Sequence, residues 1–437
     1  MKRTMMAALT VAALTAATAG AQQAPANERT LTLAEAVRLA QANSPATVAS
    51  RNALSTGASG VRSALAQFLP QIGLSAGASR SGGETFFQGK LVPYSGDAWS
   101  YGKGYFANLT LFDGGQRWLG YRAAAANLDA ADASDVSQRF NVAQNVKVQY
   151  FAVLAARESE SAAERQMQQA SQQLEIAVAR VQAGAAFRVD SIRSAILVVN
   201  ARLAMLAARN ALRTANASLT RLVGSNVPVT AVVADTADVS RIDVDSTQLA
   251  LLAEHGPAVR AAEATALANR ENRRSVLTQY LPTLQMSYSF RASNTSPQFT
   301  CCGGPTSSSN SLSFGVSYNI FDGLRRENTL SLALAQESNS DANVRDAKLA
   351  ARESLEQFLS LYQTARESIE LQMLNIAAAE DDLSAQQHRY ALGASALLDV
   401  LNSQTQLETA RAALVSARFQ ARTAKAQIET LLGRDLP

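Results

Sequence analysis

Shifted by 209 places against itself, this 437-residue sequence falls into register over more than half of its length. Phe112-Asp113-Gly114 lands on Phe321-Asp322-Gly323, and Arg157-Glu158-Ser159 on Arg366-Glu367-Ser368. Arg180, Gly184, Ala185 and Asp190 meet Arg389, Gly393, Ala394 and Asp399, and Gly224 meets Gly433. Upstream the offset becomes 212, pairing Pro45 with Pro257 and Leu69-Pro70 with Leu281-Pro282. Two copies of one unit are expected to build one pseudo-symmetric body. The reading is a first repeat at 22–224, a linker at 225–245 that packs on the outside, and a second repeat at 246–437.

Each unit runs through the same patterns. A helix expected at Pro45–Phe68, and again at Pro257–Tyr280, stops before Leu-Pro, because proline cannot continue a helix and disfavours helical geometry in the residue before it. The period then changes to two. Leu284, Met286, Tyr288 and Phe290 alternate with Gln285, Ser287, Ser289 and Arg291, and Leu312 to Ile320 do the same. Ile72 to Ala78 and Tyr105 to Leu111 repeat this more faintly. Runs of about ten residues with one apolar face suit outer-membrane strands, and equally a soluble hairpin on a core. No other β partner is legible, so the apolar faces need lipid or another chain.

After each strand pair come Phe-Asp-Gly and a long run without proline, Gln116–Gln182 and Glu327–Leu392. Some 66 helical residues make a rod about 100 Å long. Leu355, Phe358, Tyr362, Ala365 and Ile369 step by three and four, the spacing of a coiled-coil seam. Each rod stops at Gly184 or Gly393 and a return helix follows, so the fold class is mainly α with membrane β. Four strands cannot close a barrel, and an open edge is forbidden in lipid. The chain must therefore oligomerise. Two copies would give eight strands, whose interior side chains can fill; three would give twelve and leave a lumen.

The N-terminus reads as a cleaved signal at 1–21. Lys2 and Arg3 precede a short apolar run, and Ala19-Gly20-Ala21 offers a cleavage site. Removing 21 of 437 residues leaves 416 with 38 basic and 36 acidic side chains, a balance that gives no reason to expect nucleic acid. Beyond the signal no apolar stretch of membrane-span length is read: the best, Ala195–Leu212, is broken by Arg202 and Arg209. The adjacent Cys301 and Cys302 lack the spacing of a disulfide framework or a zinc site. His255 and His388 have no paired ligand, and Gly83–Lys90 lacks the Ser/Thr of a phosphate loop. No catalytic residue, metal or cofactor is expected.

Paired Phe-Asp-Gly junctions, paired Gly-Ala turns followed by Asp, and the duplicated strand-strand-hairpin unit resemble TolC-like outer-membrane efflux proteins. The resemblance implies a homotrimer with a twelve-stranded barrel in outer-membrane lipid and a helical periplasmic barrel. It implies docking onto a periplasmic adaptor and an RND, ABC or MFS-type inner-membrane pump. Position by position it puts Asp399 on a carboxylate ring at the gate, and Asp190 and Tyr390 on an inter-hairpin hydrogen bond. Ser395 and Asn402 stand where the best-known member has arginine and a second aspartate, so a differently latched gate is expected. Gly184, Ala185, Gly393 and Ala394 fall on the adaptor-binding tip. The competing class is a coiled-coil envelope spacer or adhesin, which would not need two amphipathic strand pairs.

Overall fold

The computed structural model describes residues 29–80, 82–93, 99–232, 246–296, 298–299 and 306–436. The signal at 1–21, most of the linker (233–245) and Cys301-Cys302 lie outside the described residues. The first half holds β1 (Arg29–Leu31), α1 (Leu33–Asn43), α2 (Pro45–Ala66), β2 (Gln71–Arg80), β3 (Glu84–Phe87), β4 (Lys90–Pro93), β5 (Trp99–Phe112), α3 (Gln116–Gln182) and α4 (Arg188–Val223). After β6 (Val229–Ala231), the second half holds α5 (Ser246–Ala253), α6 (Pro257–Leu277), β7 (Thr283–Ser296), β8 (Ser307–Ser317), α7 (Arg325–Ala391) and α8 (Leu397–Leu432). The duplication is exact in length where it matters mechanically. Rods α3 and α7 both have 67 residues, and return helices α4 and α8 both have 36.

The four long strands form one antiparallel sheet in the order β2-β5-β7-β8. Its register places Ile72, Ala107, Tyr288 and Leu312 side by side, with Leu74, Tyr105 and Phe290 in the next row. The Tyr105 and Phe290 rings stack at 5.1 Å. The opposite face carries Gln71, Asn108, Ser287 and Ser313. Among the described residues nothing packs over Leu74, 86 % exposed, or Val316, 74 %. Edges β2 and β8 have no partner strand within the described residues. A sheet bare on its apolar face and at both edges is stable only where lipid covers the face and other copies pair the edges.

Strands β2, β5 and β7 extend further than the alternation suggests; β8 begins earlier, at Ser307, but ends at Ser317, short of the Tyr318 and Ile320 read as strand. Stretches beyond the alternation, such as 292–296 and 307–310, continue the ladder through Ser, Thr and Asn, which hydropathy does not register as strand. Gly83–Lys90 contributes to a tight hairpin, β3–β4, rather than to an open loop.

Among the helices, α2 lies on α3, α6 lies between α3 and α7, and below them α4 packs on α3 while α8 packs on α7 and α3. Small residues make these approaches close. Ala163, Ala170 and Ala177 of α3 are buried one heptad apart, as are Ser403, Ala410, Ala417 and Ala424 of α8. Leu355, Tyr362 and Ala365 of the expected seam are buried.

Each rod meets a hydrophobic core at its middle. In the first half Val146, Tyr150 and Val153 of α3 pack with Leu31, Leu219 and Val229. The Tyr150 hydroxyl donates to the Leu31 carbonyl at 3.1 Å and accepts from the Val232 N–H at 3.1 Å. In the second half Leu355 and Tyr362 pack with Leu249, Ile428 and Leu436. Part of the stretch read as linker belongs to the first-half core: Val229–Ala231 is buried and pairs in parallel with β1.

One expectation needs correction. Helix α4 is long and apolar enough to cross a membrane by length and composition alone. Its Arg209 is instead tied to α3 through Glu160 at 3.1 Å and Glu164 at 2.8 Å, so the helix runs along the rod. Its bare apolar residues, among them Ile192, Ile196, Val199 and Leu203, form a stripe at coiled-coil spacing that a neighbouring helix would cover.

Candidate functional site

Two pairs of duplicated structures mark the ends of the helical body: an elbow where strand becomes rod, and a tip where rod turns into return helix. At the first elbow, Asp113 of Phe112-Asp113-Gly114 caps the start of α3. One carboxylate oxygen accepts from the Gly115 N–H at 3.1 Å; the other accepts from the Arg117 N–H at 3.1 Å and from Arg117 Nε at 2.7 Å. The guanidinium also lies over the Phe68 ring at 5.2 Å. Burial opposes the Asp113 charge. The hydrogen bonds from Arg117 and Gly115, with the guanidinium's positive charge, outweigh it and hold the carboxyl below its usual range.

The second elbow, Phe321-Asp322-Gly323, repeats the ion pair and the ring contact, with Arg326 Nε 3.1 Å from Asp322 and its guanidinium 5.0 Å from the Tyr280 ring. The two differ in what sits on the glycine. At Gly114 a side chain would collide with Leu281, whereas Gly323 faces open space. Both phenylalanines are exposed, Phe321 at 76 %.

At the tips the two turns are superimposable in pattern. Gly184 and Gly393 adopt φ of 71° and 73°, open to glycine without strain, and neither has an atom within 4 Å of where a Cβ would stand. The following N–H groups, of Ala185 and Ala394, each donate 2.8 Å to a carbonyl five residues back. This closes the rods with a left-handed cap. Ala185 and Ala394 are exposed, and beside them Phe187 and Leu392 project into solvent at 81 % and 85 % exposure.

The gate residues read from the sequence all gather here, with different partners. Asp399, exposed in the first turn of α8, accepts from the Ala396 N–H at 3.0 Å and so caps its own helix. Asp190 sits half-buried in the first turn of α4. The Ser395 hydroxyl donates to the Gln386 carbonyl at 3.4 Å, and Asn402 is exposed. The expected Asp190–Tyr390 hydrogen bond is not formed within the chain: the Tyr390 hydroxyl is buried without a hydrogen-bond partner.

The contact that joins the hairpins instead comes from Arg180 of α3. Its guanidinium lies 4.5 Å from the Tyr390 ring centroid, and its Nη1 donates to the Tyr390 carbonyl at 3.0 Å. The duplication matches Arg180 with Arg389, and at the same offset Arg117 with Arg326. Only the three-dimensional contacts give them partners.

The residues tested for enzymatic roles stay apart. His255 Nδ1 contacts the Leu251 carbonyl at 3.0 Å, His388 is exposed at the end of α7, and no group of three metal-ligand side chains is gathered among the described residues.

Known proteins share this architecture. The chain is similar to Protein CyaE of Bordetella pertussis, 26 % identical over 403 residues, covering 90 % of this chain and 82 % of that one. Among solved structures, the outer membrane protein VceC of Vibrio cholerae superposes with a TM-score of 0.76 at 18 % identity, over 93 % of this chain and 97 % of VceC. The CmeC outer membrane channel of Campylobacter jejuni gives 0.77 at 16 % identity, over 92 % and 85 %. The description of outer membrane efflux proteins matches residues 36–225 and, separately, 249–434. With both repeats matched, the chain belongs to the outer membrane efflux protein family, whose channels cross the outer membrane as a trimeric barrel and extend a helical tube into the periplasm.

Proposed function

We propose that three copies of this chain form an exit duct fed from the periplasmic end. A periplasmic adaptor packs on the tips and an RND, ABC or MFS-type inner-membrane pump drives the cargo. The observation that carries this reading is the pairing of a bare, open-edged sheet with two equal hairpins about 100 Å long. The sheet needs lipid and further copies, and the hairpins reach across an aqueous space. A spacer or adhesin has no use for the exposed apolar rows.

The tips suit docking. Exposed Phe187 and Leu392 flank small Ala185 and Ala394, a surface on which an apolar helical hairpin can pack closely. The gate lies just above: Arg180 and Tyr390 hold the two hairpins of one copy together, and Asp190 and Asp399 bring six carboxylates toward the axis of a trimer. The duct needs no catalytic chemistry, only a path and a latch.

Native mass spectrometry in detergent tests the reading, with single-channel recording on the same sample. Three copies and discrete conductance steps are expected. A stable monomer with full strand content overturns it.

A further inference from the structure

The register of the sheet sorts every strand residue to one of two faces, and the two faces differ in charge. The four long strands contain no Asp or Glu, and their basic residues are Arg80, Lys103 and Arg291. Lys103 pairs with Ala76 and Arg80 with Trp99, rows that belong to the outward, apolar-patterned face. Arg291 alone stands on the other face. Its cross-strand neighbours are Gly104 on β5 and Ser309 on β8. Around it β7 presents Gln285, Ser287, Ser289 and Ser293, uncharged and mostly small. The Arg291 side chain is exposed.

We infer that Arg291 is an anion-capturing residue on the luminal wall of the barrel, suited to cargo that carries carboxylate groups. The inference rests on the exit-duct reading, because only a closed trimeric barrel turns this face into a lumen. The physical argument is short. A lone cation without a carboxylate on the surrounding strands keeps its full field, and a low-dielectric wall focuses that field into the aqueous path. Three copies give three such cations at one height. Rings of arginine or lysine are how pores favour anions. The rest of the wall offers hydroxyls that hydrate a passing carboxylate and no acid that repels it. The contribution is the reverse of that of the carboxylates at the tips, so a carboxylate-bearing cargo that clears the gate meets attraction at the exit.

The test reads the local potential beside Arg291. With Cys301→Ser and Cys302→Ser removing the native thiols, Ser309→Cys places one thiol across from the arginine. Its labelling rate is compared for thiosulfonate reagents bearing a sulfonate and a trimethylammonium group. A unit charge about 6 Å away in water changes each local concentration about threefold, so the sulfonate-to-ammonium rate ratio should fall roughly tenfold in Arg291→Ser at low salt. Arg291→Lys should keep the ratio. A 20-residue oligoglutamate should protect the thiol with Arg291 present and not in Arg291→Ser, while oligolysine protects neither. Succinate at matched carboxylate concentration separates the sources: equal protection assigns the site to small organic anions, and protection by the peptide alone assigns it to extended chains. A ratio unmoved by Arg291→Ser, or no protection by either anion, overturns the inference. If that happens in trimers that still conduct, the duct reading stands; loss of trimer and conductance sinks both.

Discussion

The Arg180 guanidinium of one hairpin sits 4.5 Å from the Tyr390 ring centroid of the other and donates to its carbonyl at 3.0 Å, while the Tyr390 hydroxyl has no hydrogen-bond partner among the described residues. The ring and the carbonyl do the holding. Tyr390→Phe should therefore leave single-channel conductance unchanged, whereas Arg180→Ala should raise it. A cation–π contact of this kind is worth about 0.5–2 kcal/mol, which changes the open population about two- to thirty-fold. A conductance rise in Tyr390→Phe alone would return the latch to the hydroxyl and to Asp190.

The carboxylates at the tips give a second expectation. Removing Asp399 leaves α8 without its cap, and in a trimer it removes three negative charges from one constriction. Asp399→Ala should lower cation selectivity and weaken block by multivalent cations, measured as reversal potential in a salt gradient. Unaltered selectivity in Asp399→Ala and Asp190→Ala together would place the constriction elsewhere.

Docking is tested at the alanines rather than the glycines, since the positive φ at Gly184 and Gly393 penalises any side chain whether or not a partner binds. Ala185→Trp with Ala394→Trp should weaken crosslinking to the adaptor while native mass still reports trimers. Undiminished crosslinking would move the docking surface off the turns.

The elbow has a pH signature. Asp113 carries a folded-state pKa below its ordinary 3.8, so the stability it supplies is complete above that value and is lost as pH falls through it toward the lowered folded value. Arg117→Ala should cost about 2 kcal/mol at neutral pH, because it leaves a nearly buried carboxylate without its charged donor. Asp113→Asn should flatten the acid limb of trimer melting. A limb identical to that of the parent protein would mean the elbow is not stability-limiting.

The duplication also predicts a seam that a single chain cannot display. Within one copy Leu281 sits on Gly114; the equivalent of Leu281 is Leu69, 66 % exposed, and the equivalent of Gly114 is the open Gly323. Leu69 of a neighbouring copy should therefore cover Gly323. Leu69→Asp should lower the temperature at which detergent-resistant trimers dissociate, and Gln67→Asp, a polar neighbour two residues away, should not.

Much of this architecture was legible because it is written twice. Equal spacing identified both Phe-Asp-Gly elbows, both Gly-Ala turns and both rods, and proline and glycine punctuation set their ends. What stayed hidden depends on contacts between distant segments. Nothing in a run of Ser and Asn announces that 307–310 is strand until a partner ladder is present. Nothing near Arg180 points to Tyr390, 210 positions away. Val229–Ala231 is too short to read as an element, and only its pairing with β1 makes it part of a core. The polar face was visible as alternation, but that Arg291 stands on it while Arg80 and Lys103 stand on the other emerged only when register sorted the residues by side.

The rods are continuous but their companions are not. Against the 67 residues of α3 lie α2, with 22, and α4, with 36; α6 and α8, with 21 and 36, lie beside α7. The two pieces of each strut meet end to end, Asn43 against Gly224 and Pro257 against Gly433, with Val223 and Leu432 of the two cores beside the breaks. Each half is thus jointed like a limb, a single long bone beside a two-piece strut with packed cartilage at the break. Were the tips to part, that joint would let the lower struts twist without shearing the barrel seam above it.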